Sequence, residues 1–216
     1  MEQPSIYIPK DTVIGYGRSA VAKASETVEL VSGNHFLLAR NGRGKTTLLR
    51  TLARSLPVVD GQPRMHGRAQ FIGENLAFDD ELPARVIFKS MLTGHGFQQA
   101  MQLAEATELN MVRPFGQLSR GNRQKILLIL AEFRVVPGEA SVLLLDEPFT
   151  GLDAHAREKF MDAWQSRTQG ILRLITTHPD YDAMDLRRPV VITDGEIRLA
   201  RPDEGRAWGQ LKQHLN

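Results

Sequence analysis

A glycine-rich turn between a strand pattern and a helix pattern is the feature that most constrains the fold of this 216-residue chain. Residues 35–39, before the turn, are mostly apolar and predict a strand. After the turn, leucines recur at helical spacing, at positions 48, 49, 52 and 56. A strand, a tight turn and a helix in this order are the unit from which open α/β sheets are built.

The turn itself has the sequence ARNGRGKTT. Its small residues let backbone N–H groups converge on an anion, and the following helix adds the positive end of its dipole. Lys45 is expected to reach the β and γ phosphates of a nucleotide, and the Thr46 hydroxyl is expected to bind Mg²⁺. Taken alone, the motif also fits a tight turn with an exposed lysine. The residues expected to contact the nucleotide are Ala39, Arg40, Asn41, Gly42, Arg43, Gly44, Lys45, Thr46 and Thr47.

An apolar segment that ends in two acids, SVLLLDEPFTGLD, supplies a second part of the site. Residues 141–145 predict a buried strand, so Asp146 and Glu147 follow at the sheet edge where α/β proteins bind ligands. Asp146 is expected to hold Mg²⁺ through water, and Glu147 to polarise the attacking water as general base. The alternative is a solvated acidic turn, which fits less well with Pro148 directly afterwards.

Strand patterns alternate with helix patterns along the rest of the chain. Further strands are predicted at 6–8, 13–16, 27–30, 70–73 and 171–176, and in a hairpin at 190–193 and 197–199. Helices are predicted at 122–133 and 154–166, with a small helical insert at 82–109. This alternation predicts the α/β class, with a parallel sheet covered by helices on both faces.

The segment LSRGNRQ, residues 118–124, precedes the acidic strand and resembles the signature sequence of ABC ATPases, usually LSGGQ. Ser119 stands where a helix N-cap belongs, and Gly121 leaves its backbone N–H open, so the start of this helix suits a phosphate. The resemblance implies that Ser119 and Gly121 contact ATP bound by another subunit. It also implies a head-to-tail dimer with two nucleotides between the subunits.

Other elements of the ABC pattern follow in order. The resemblance implies a catalytic switch histidine at His178, in TTHPD, and a dimer contact at Asp153, in TGLD. Tyr16 is placed to stack on adenine, although an aromatic residue at a strand end equally fits packing. The glutamine that senses Mg²⁺ in this family is missing, and Glu74 or Asn75 stands in its place. Glu74 would offer the metal an oxygen.

Four further positions depart from the family pattern. Ala39 replaces the first glycine of the phosphate loop, where only a small side chain is needed. Arg43 replaces a usually small residue, and Arg120 and Asn122 replace the Gly and Gln of the signature. The last three lie near expected phosphate or dimer contacts, and the extra positive charge is expected to leave ATP binding intact.

The resemblance spans residues 16–199 and implies a P-loop NTPase fold of the ABC type. This fold has a mixed sheet with N-terminal antiparallel strands, a parallel core flanked by helices, and a small inserted helical subdomain. A single domain, 1–216, is expected. Its parts are a nucleotide-binding core at 1–75 and 134–200, a helical subdomain with the signature helix at 76–133, and a tail at 201–216. The linker at 61–73 and the helical insert are short for the family, and in this they resemble those of compact export-type ATPases.

Composition bears on location and partners. The net charge is only +2, basic residues are scattered and there is no cysteine, so neither nucleic-acid binding nor a disulfide framework is expected. No apolar run approaches the roughly 18 residues of a membrane span, and the first residues show no secretory signal. A cytoplasmic protein is expected, peripheral on the inner face of the cell membrane through a partner.

The leading interpretation is an ATPase subunit that dimerises on ATP, as a homodimer or with a paired ATPase subunit, and drives a separate integral membrane transporter subunit. This partner is expected to dock on the insert at exposed Phe88, Leu92 and Phe97 beside Glu74. One alternative is a soluble ABC ATPase that acts on DNA or ribosomes, which predicts a long coiled-coil insertion or a second ATPase domain. The other is a non-catalytic regulatory subunit, against which the intact motif residues argue.

Overall fold

The structure, a computed structural model, describes residues 3–73, 76–136, 138–177, 186, 188–205 and 207–215. Within these residues the chain forms eleven β-strands and six α-helices. The strands are β1 (Ser5–Ile8), β2 (Val13–Tyr16), β3 (Ser19–Ala24), β4 (Val28–Val31), β5 (Gly33–Leu38), β6 (Arg64–His66), β7 (Arg68–Ile72), β8 (Ser141–Leu145), β9 (Ile171–Thr176), β10 (Val190–Thr193) and β11 (Glu196–Leu199). The helices are α1 (Lys45–Leu52), α2 (Ala84–Met91), α3 (Gly94–Ala106), α4 (Arg120–Phe133), α5 (Ala154–Ser166) and α6 (Trp208–Leu211).

Eight strands form one mixed sheet in the order β2-β3-β11-β10-β5-β9-β8-β7, and β4-β1-β6 form an antiparallel sheet. The central strands β10, β5, β9 and β8 run parallel, whereas β2 pairs antiparallel with β3, and β11 with β10. Because the carboxyl ends of parallel neighbours meet at one edge, the residues that follow β5, β9 and β8 lie close together. The predicted α/β class, with a mixed sheet and a parallel core, is confirmed.

Strands β8 and β9 explain why Asp146 and Thr176 project to the same face of the sheet. Every residue of β8 and β9 is buried, as expected for parallel strands covered on both sides. Leu144 in β8 and Leu174 in β9 project into the same core as Leu48 of α1. Since side chains alternate along a strand, Asp146 and Thr176, two residues further on, project to this face as well.

Contacts divide the chain into two compact units. The first contains Met1–Phe71, Gly138–Glu147 and Thr168–Asn216, and with them α1, α6 and the strands of both sheets, except for Ile72, the last residue of β7. The second contains Ile72–Pro137 and Pro148–Arg167, and with them α2, α3, α4 and α5. The second unit therefore holds α5 in addition to the helices of the predicted subdomain at 76–133.

In the second unit, α2 turns its apolar stripe inward. Ala84, Ile87 and Phe88 are spaced three and four residues apart and are buried. Phe88 is 0% exposed, Leu92 is 5% exposed and Phe97 is partly buried. The prediction that Phe88 and Leu92 are exposed for a partner is wrong, because both belong to the stripe that packs into the unit. Exposed apolar residues in and around α2 include Leu82, Val86 and Val112.

The bounds of several elements match the sequence patterns, but α1 is shorter than predicted. It ends at Leu52 rather than reaching position 56. Arg54 adopts a φ of 58°, and the N–H groups of Arg54 and Ser55 donate to the carbonyls of Thr51 at 3.1 Å and Arg50 at 3.0 Å. This pair of bonds is the Schellman arrangement that ends helices, so the leucine at 56 lies beyond the helix.

Strands β3 and β6 have no counterpart among the predicted elements. The sequence of β3, SAVAKA, contains three alanines, which are depleted in strands, and β6 has only three residues. Both form because neighbouring strands offer backbone partners, β2 and β11 for β3 and β1 for β6. No helix in the described part of the chain is long and apolar enough to cross a membrane.

Candidate nucleotide-binding site

The phosphate loop joins β5 to α1 and turns on two glycines. Gly42 and Gly44 have φ angles of 77° and 105°, in the left-handed region that favours glycine. Gly44 is also closely packed, since a Cβ there would lie 2.9 Å from Cγ1 of Val21. Helix α1 begins directly afterwards, with no acidic residue in its first turn. Its first N–H groups therefore present the positive end of the helix dipole to the loop.

Lys45 is held inside the loop rather than extended into solvent. It is 5% exposed, and its Nζ donates to the Ala39 carbonyl at 3.1 Å and to Asn41 Oδ1 at 3.4 Å. Burial lowers the pKa of this ammonium, and the carboxylates of Glu147 and Asp146 act in the opposite direction. A desolvated ammonium gains strongly from an anionic partner, so this position suits a phosphate.

The two threonines after Lys45 make different contacts. Thr46 Oγ1 donates to Oδ2 of Asp146 at 2.7 Å, which joins the start of α1 to the end of β8. Thr47 is buried, and its Oγ1 lies 3.2 Å from the hydroxyl of Tyr16. This contact fixes one end of the Tyr16 ring, which is 50% exposed and so keeps surface for stacking.

The outer part of the loop is exposed and positively charged. Arg40, Asn41, Gly42 and Arg43 are exposed, whereas Ala39 is buried at the end of the strand. The Arg43 N–H donates to the Arg40 carbonyl at 3.2 Å, which closes the turn. Two arginines on this open side raise the local positive potential around the loop.

Asp146 and Glu147 follow β8, and Thr176 at the end of β9 contacts both. Asp146 is 8% exposed, and its Oδ1 accepts a hydrogen bond from Thr176 Oγ1 at 3.0 Å. The Glu147 N–H donates to the same Oγ1 at 2.6 Å. Glu147 has a φ of 47°, which is uncommon for a residue with a side chain. The sequence patterns assign no role to Thr176. The signal that could have identified it is a hydroxyl residue at the end of a buried strand.

The oxygens of Thr46 and Asp146 fit a Mg²⁺ site. Mg²⁺ prefers oxygen ligands, and in nucleotide sites it is bound through one or two protein groups together with phosphates and water. Thr46 Oγ1 and Asp146 Oδ2 are two such oxygens, 2.7 Å apart at the base of the loop. The predicted metal ligand Glu74 and the predicted catalytic His178 lie outside the described residues, as does Asn75.

The signature segment lies in the second unit, at the start of α4. Ser119 is the N-cap of this helix, as predicted, and its Oγ accepts hydrogen bonds from the Asn122 N–H at 3.3 Å and the Asn122 Nδ2 at 3.0 Å. Asn122 Oδ1 in turn accepts from the Asn110 N–H at 3.3 Å. Asn122, which departs from the family pattern, therefore orients the serine.

Gly121 packs directly on the loop that follows the acidic pair. A Cβ at this position would collide with the carbonyl oxygen of Gly151. In the same unit, Gln124 Nε2 donates to the Pro148 carbonyl at 3.1 Å. The signature helix is thus fixed to residues 148–151 by a close approach and by a hydrogen bond, neither of which the sequence patterns indicated.

Asp153 is the N-cap of α5. Its Oδ1 accepts from the Ala156 N–H at 2.8 Å, and this bond is the main cause that lowers the pKa of the Asp153 carboxyl. Its other oxygen lies 3.6 Å from Nζ of Lys125, a buried residue of α4 that also donates to the Thr107 carbonyl at 2.6 Å. The predicted dimer-contact residue is therefore fixed to α4 within its own chain.

Comparison with known proteins agrees with the fold and the motifs. The chain matches the ABC transporter family over residues 28–150. It is 31% identical to the aliphatic sulfonates import ATP-binding protein SsuB 1 of Pseudomonas syringae pv. tomato, over 96% of this chain and 82% of that protein. It is 32% identical to the cytochrome c biogenesis ATP-binding export protein CcmA of Sphingopyxis alaskensis, over 67% of this chain and 77% of that protein.

A solved structure of an ATP-binding subunit of an ABC transporter has the same fold. It covers 99% of this chain and 99% of its own length, with a TM-score of 0.73 and 18% sequence identity. The family match exceeds half of the chain, and relatives from import and export systems cover most of it. The chain therefore belongs to the ABC transporter family, as one of its ATP-binding, ATP-hydrolysing subunits.

Proposed function

We propose that the chain binds Mg²⁺-ATP through Lys45, Thr46 and Asp146, hydrolyses it with Glu147, and drives a separate membrane-spanning subunit. The observation that carries the catalytic part is the convergence of these residues at one sheet edge. Lys45 and Thr46 follow β5, Asp146 and Glu147 follow β8, and β9 lies between these strands. The hydrogen bond between Thr46 and Asp146 supports their action as one unit.

The residues have separate tasks in this proposal. Lys45 and the loop N–H groups bind the phosphates, and Tyr16 stacks on the adenine. Mg²⁺, when bound, offsets the negative charge of the phosphate oxygens. Glu147 orients and polarises the attacking water. His178, as the switch histidine, and Glu74, as a further metal oxygen, keep their roles from the family resemblance.

The signature is proposed to complete the nucleotide site of a second chain. A hydroxyl has one proton to donate and two lone pairs that accept. Asn122 donates to the Ser119 oxygen twice, so the proton of that hydroxyl remains for an anionic acceptor. The start of α4 adds the positive end of its dipole. Ser119 and Gly121 therefore suit the phosphates of a nucleotide held by the partner, and Asp153 suits a contact in the same dimer.

Ser119→Glu tests this composite site. The substitution is expected to abolish ATP-dependent dimerisation and hydrolysis, because it places a carboxylate against the partner's phosphates. ATP affinity of the single chain is expected to stay at the wild-type value, since Lys45 and its loop are intact. Calorimetry measures the affinity, and size-exclusion chromatography with ATP and Mg²⁺ measures the dimer.

Gln117→Glu is the matched control, because Gln117 is an exposed residue two positions before the signature serine. This variant is expected to dimerise like the wild type. If Ser119→Glu weakened ATP binding by the single chain, Ser119 would belong to the site of its own chain and the composite site would be wrong.

The membrane-spanning subunit is proposed to dock on an apolar surface formed by Leu82, Val86 and Val112. These side chains are 37%, 47% and 76% exposed. They lie on two segments that pair in antiparallel fashion, through the bond from the Arg85 N–H to the Met111 carbonyl at 3.2 Å and a bridge between residues 83 and 114. Adjacent exposed apolar side chains of this kind mark interaction surfaces.

Val86→Glu is expected to prevent the chain from co-purifying with an integral membrane protein. A charge in the middle of an apolar contact stays unpaired on binding, which costs several kcal/mol. The measurement is recovery of the tagged chain with its partner from detergent-solubilised membranes of the source cell. ATP hydrolysis by the chain alone is expected to remain at the wild-type rate.

Val136→Glu is the control for the docking surface. Val136 is also exposed and belongs to the same unit, but it follows the carboxyl end of α4. Its variant is expected to recover the partner normally. Equal recovery with both variants would exclude the surface around Val86. The proposed location, peripheral on the inner face of the cell membrane, depends on this partner.

A further inference from the structure

The Thr176 hydroxyl lies between the two acids that follow the neighbouring strand. In the register of β8 and β9, Leu145 is paired with Ile175, so the next residues along, Asp146 and Thr176, stand side by side. Thr176 is 0% exposed, and its Oγ1 is within hydrogen-bond distance of a side-chain oxygen of Asp146 and of the backbone nitrogen of Glu147.

The direction of each hydrogen bond follows from the available protons. The Glu147 backbone N–H can only donate, so Thr176 Oγ1 accepts that bond, at 2.6 Å. The single hydroxyl proton then has two acceptors within reach. These are Asp146 Oδ1 at 3.0 Å and the Leu145 carbonyl at 3.5 Å, and the shorter distance and the carboxylate charge favour Asp146. Thr176 thus accepts from one acid's backbone and donates to the other acid's side chain.

These bonds leave the opposite carboxylate oxygen of Asp146 directed at the phosphate loop. Oδ1 is held by Thr176, and Oδ2 accepts from Thr46 Oγ1 at 2.7 Å. The carboxylate is therefore fixed at both ends by hydroxyls from two different elements, β9 and the start of α1. A carboxylate held at only one oxygen would retain rotation about its last side-chain bond.

The backbone of Glu147 needs such a support. Its φ of 47° lies in the left-handed region, which residues with a side chain seldom adopt, and unusual conformations persist only where surrounding contacts determine them. The hydrogen bond to Thr176 is the contact that the structure shows at the N–H of this residue. It sets the direction in which the Glu147 side chain leaves the strand end.

We infer that Thr176 is a positioning residue for ATP hydrolysis, whose hydroxyl orients the Asp146 carboxylate and the Glu147 backbone together. This inference rests on the roles proposed above for Asp146 and Glu147. It predicts an effect on the chemical step more than on binding, because this hydroxyl bonds to the two acids, whereas Lys45 is held by Ala39 and Asn41. Small misplacement of catalytic groups is costly, up to about 100-fold in rate per ångström.

The test compares Thr176→Val, which has nearly the shape of threonine without its hydroxyl, with Thr176→Ser, which retains the hydroxyl. Full-length protein is assayed at a fixed dimer concentration for kcat and KM of ATP hydrolysis with Mg²⁺. Thr176→Val is expected to lower kcat about 10- to 100-fold with KM nearly unchanged. Thr176→Ser is expected to restore most of the wild-type kcat.

Thr12→Val is the matched control. Thr12 is a buried threonine of the same unit, and its hydroxyl has no hydrogen-bond partner in the described part of the chain. Its variant is expected to keep both kinetic constants. If Thr176→Val melts far below the wild type, Thr176→Ala takes its place, since it removes the hydroxyl without setting a methyl group against the carboxylate.

A wild-type kcat in the folded variant without the hydroxyl would overturn the inference. A serine variant as slow as the valine variant would also overturn it, because the hydroxyl would then not be the group that matters. Glu147→Gln, assayed in parallel, separates this failure from failure of the proposed site. If Glu147→Gln retained hydrolysis, the role of Glu147 would be wrong, whatever Thr176 does.

Discussion

Glu147→Gln is expected to bind ATP with wild-type affinity, to hydrolyse it about 10²- to 10⁴-fold more slowly, and to accumulate as an ATP-bound dimer. The amide keeps the size of the side chain but cannot accept a proton from water. The backbone of residue 147 stays anchored, since its N–H bond to Thr176 does not involve the side chain. Loss of the rate with retained binding therefore isolates the proton transfer.

The measurement has two parts. Phosphate release gives the rate, and size-exclusion chromatography with ATP and Mg²⁺ gives the oligomeric state. Glu139→Gln serves as the control, since Glu139 is an exposed glutamate before the other end of β8. The control is expected to hydrolyse ATP and to return to monomer. A Glu147→Gln variant that remained monomeric with ATP would contradict the sandwich dimer, and one that hydrolysed normally would contradict the general base.

The parts of the fold that were predicted correctly are those whose signal lies in a short run of residues. The strand at 141–145, the strand at 171–176 and the helix at 154–166 have the predicted bounds, because buried apolar runs and helical spacing are local patterns. Strand β3 was missed because its alanines carry no such pattern. Its place in the sheet comes from pairing with β2 and β11, which sequence spacing does not reveal.

The helical insert shows a second reason why parts of the fold could not be predicted from the sequence. Phe88 and Leu92 are predicted at a partner surface, yet both are buried. Val86, two residues before Phe88 on the same helix, is exposed. Periodicity identifies an apolar stripe on α2, but it does not tell whether the stripe faces the chain's own core or a partner. In a stretch with several helices, the neighbours of α2 within the unit decide, and here they cover the stripe.

The candidate site shows the same difference between residues that a local motif identifies and residues that act through contacts with other strands. Lys45, Thr46, Asp146 and Glu147 were identified from motifs that carry their own chemistry, and the structure brings them together at one sheet edge. Thr176 was not identified, because its importance depends on the register between β8 and β9. A residue that acts through a cross-strand contact carries little signal in its own segment.

Lys45→Ala is expected to weaken ATP binding about 10- to 100-fold, which corresponds to the roughly 1.5–3 kcal/mol of a hydrogen bond to a charged group. The ammonium is held in the loop by the Ala39 carbonyl and Asn41, so it is already ordered before a phosphate arrives. Burial lowers its pKa, which means that the protein disfavours the charged form in this place. An anionic phosphate relieves this cost, and alanine removes the interaction.

The fold is expected to survive the Lys45→Ala substitution. Removing a buried ammonium abolishes its desolvation cost, so the melting temperature without nucleotide is expected to remain near the wild-type value. ATP is expected to raise the melting temperature of the wild type but not of Lys45→Ala, because stabilisation by a ligand follows its affinity. Lys23→Ala, at an exposed surface ion pair with Asp11, is expected to respond to ATP like the wild type. Unchanged ATP affinity of Lys45→Ala by calorimetry would place the nucleotide elsewhere. A phosphate bound at this loop would lose its interaction with the buried ammonium, so its affinity would have to fall.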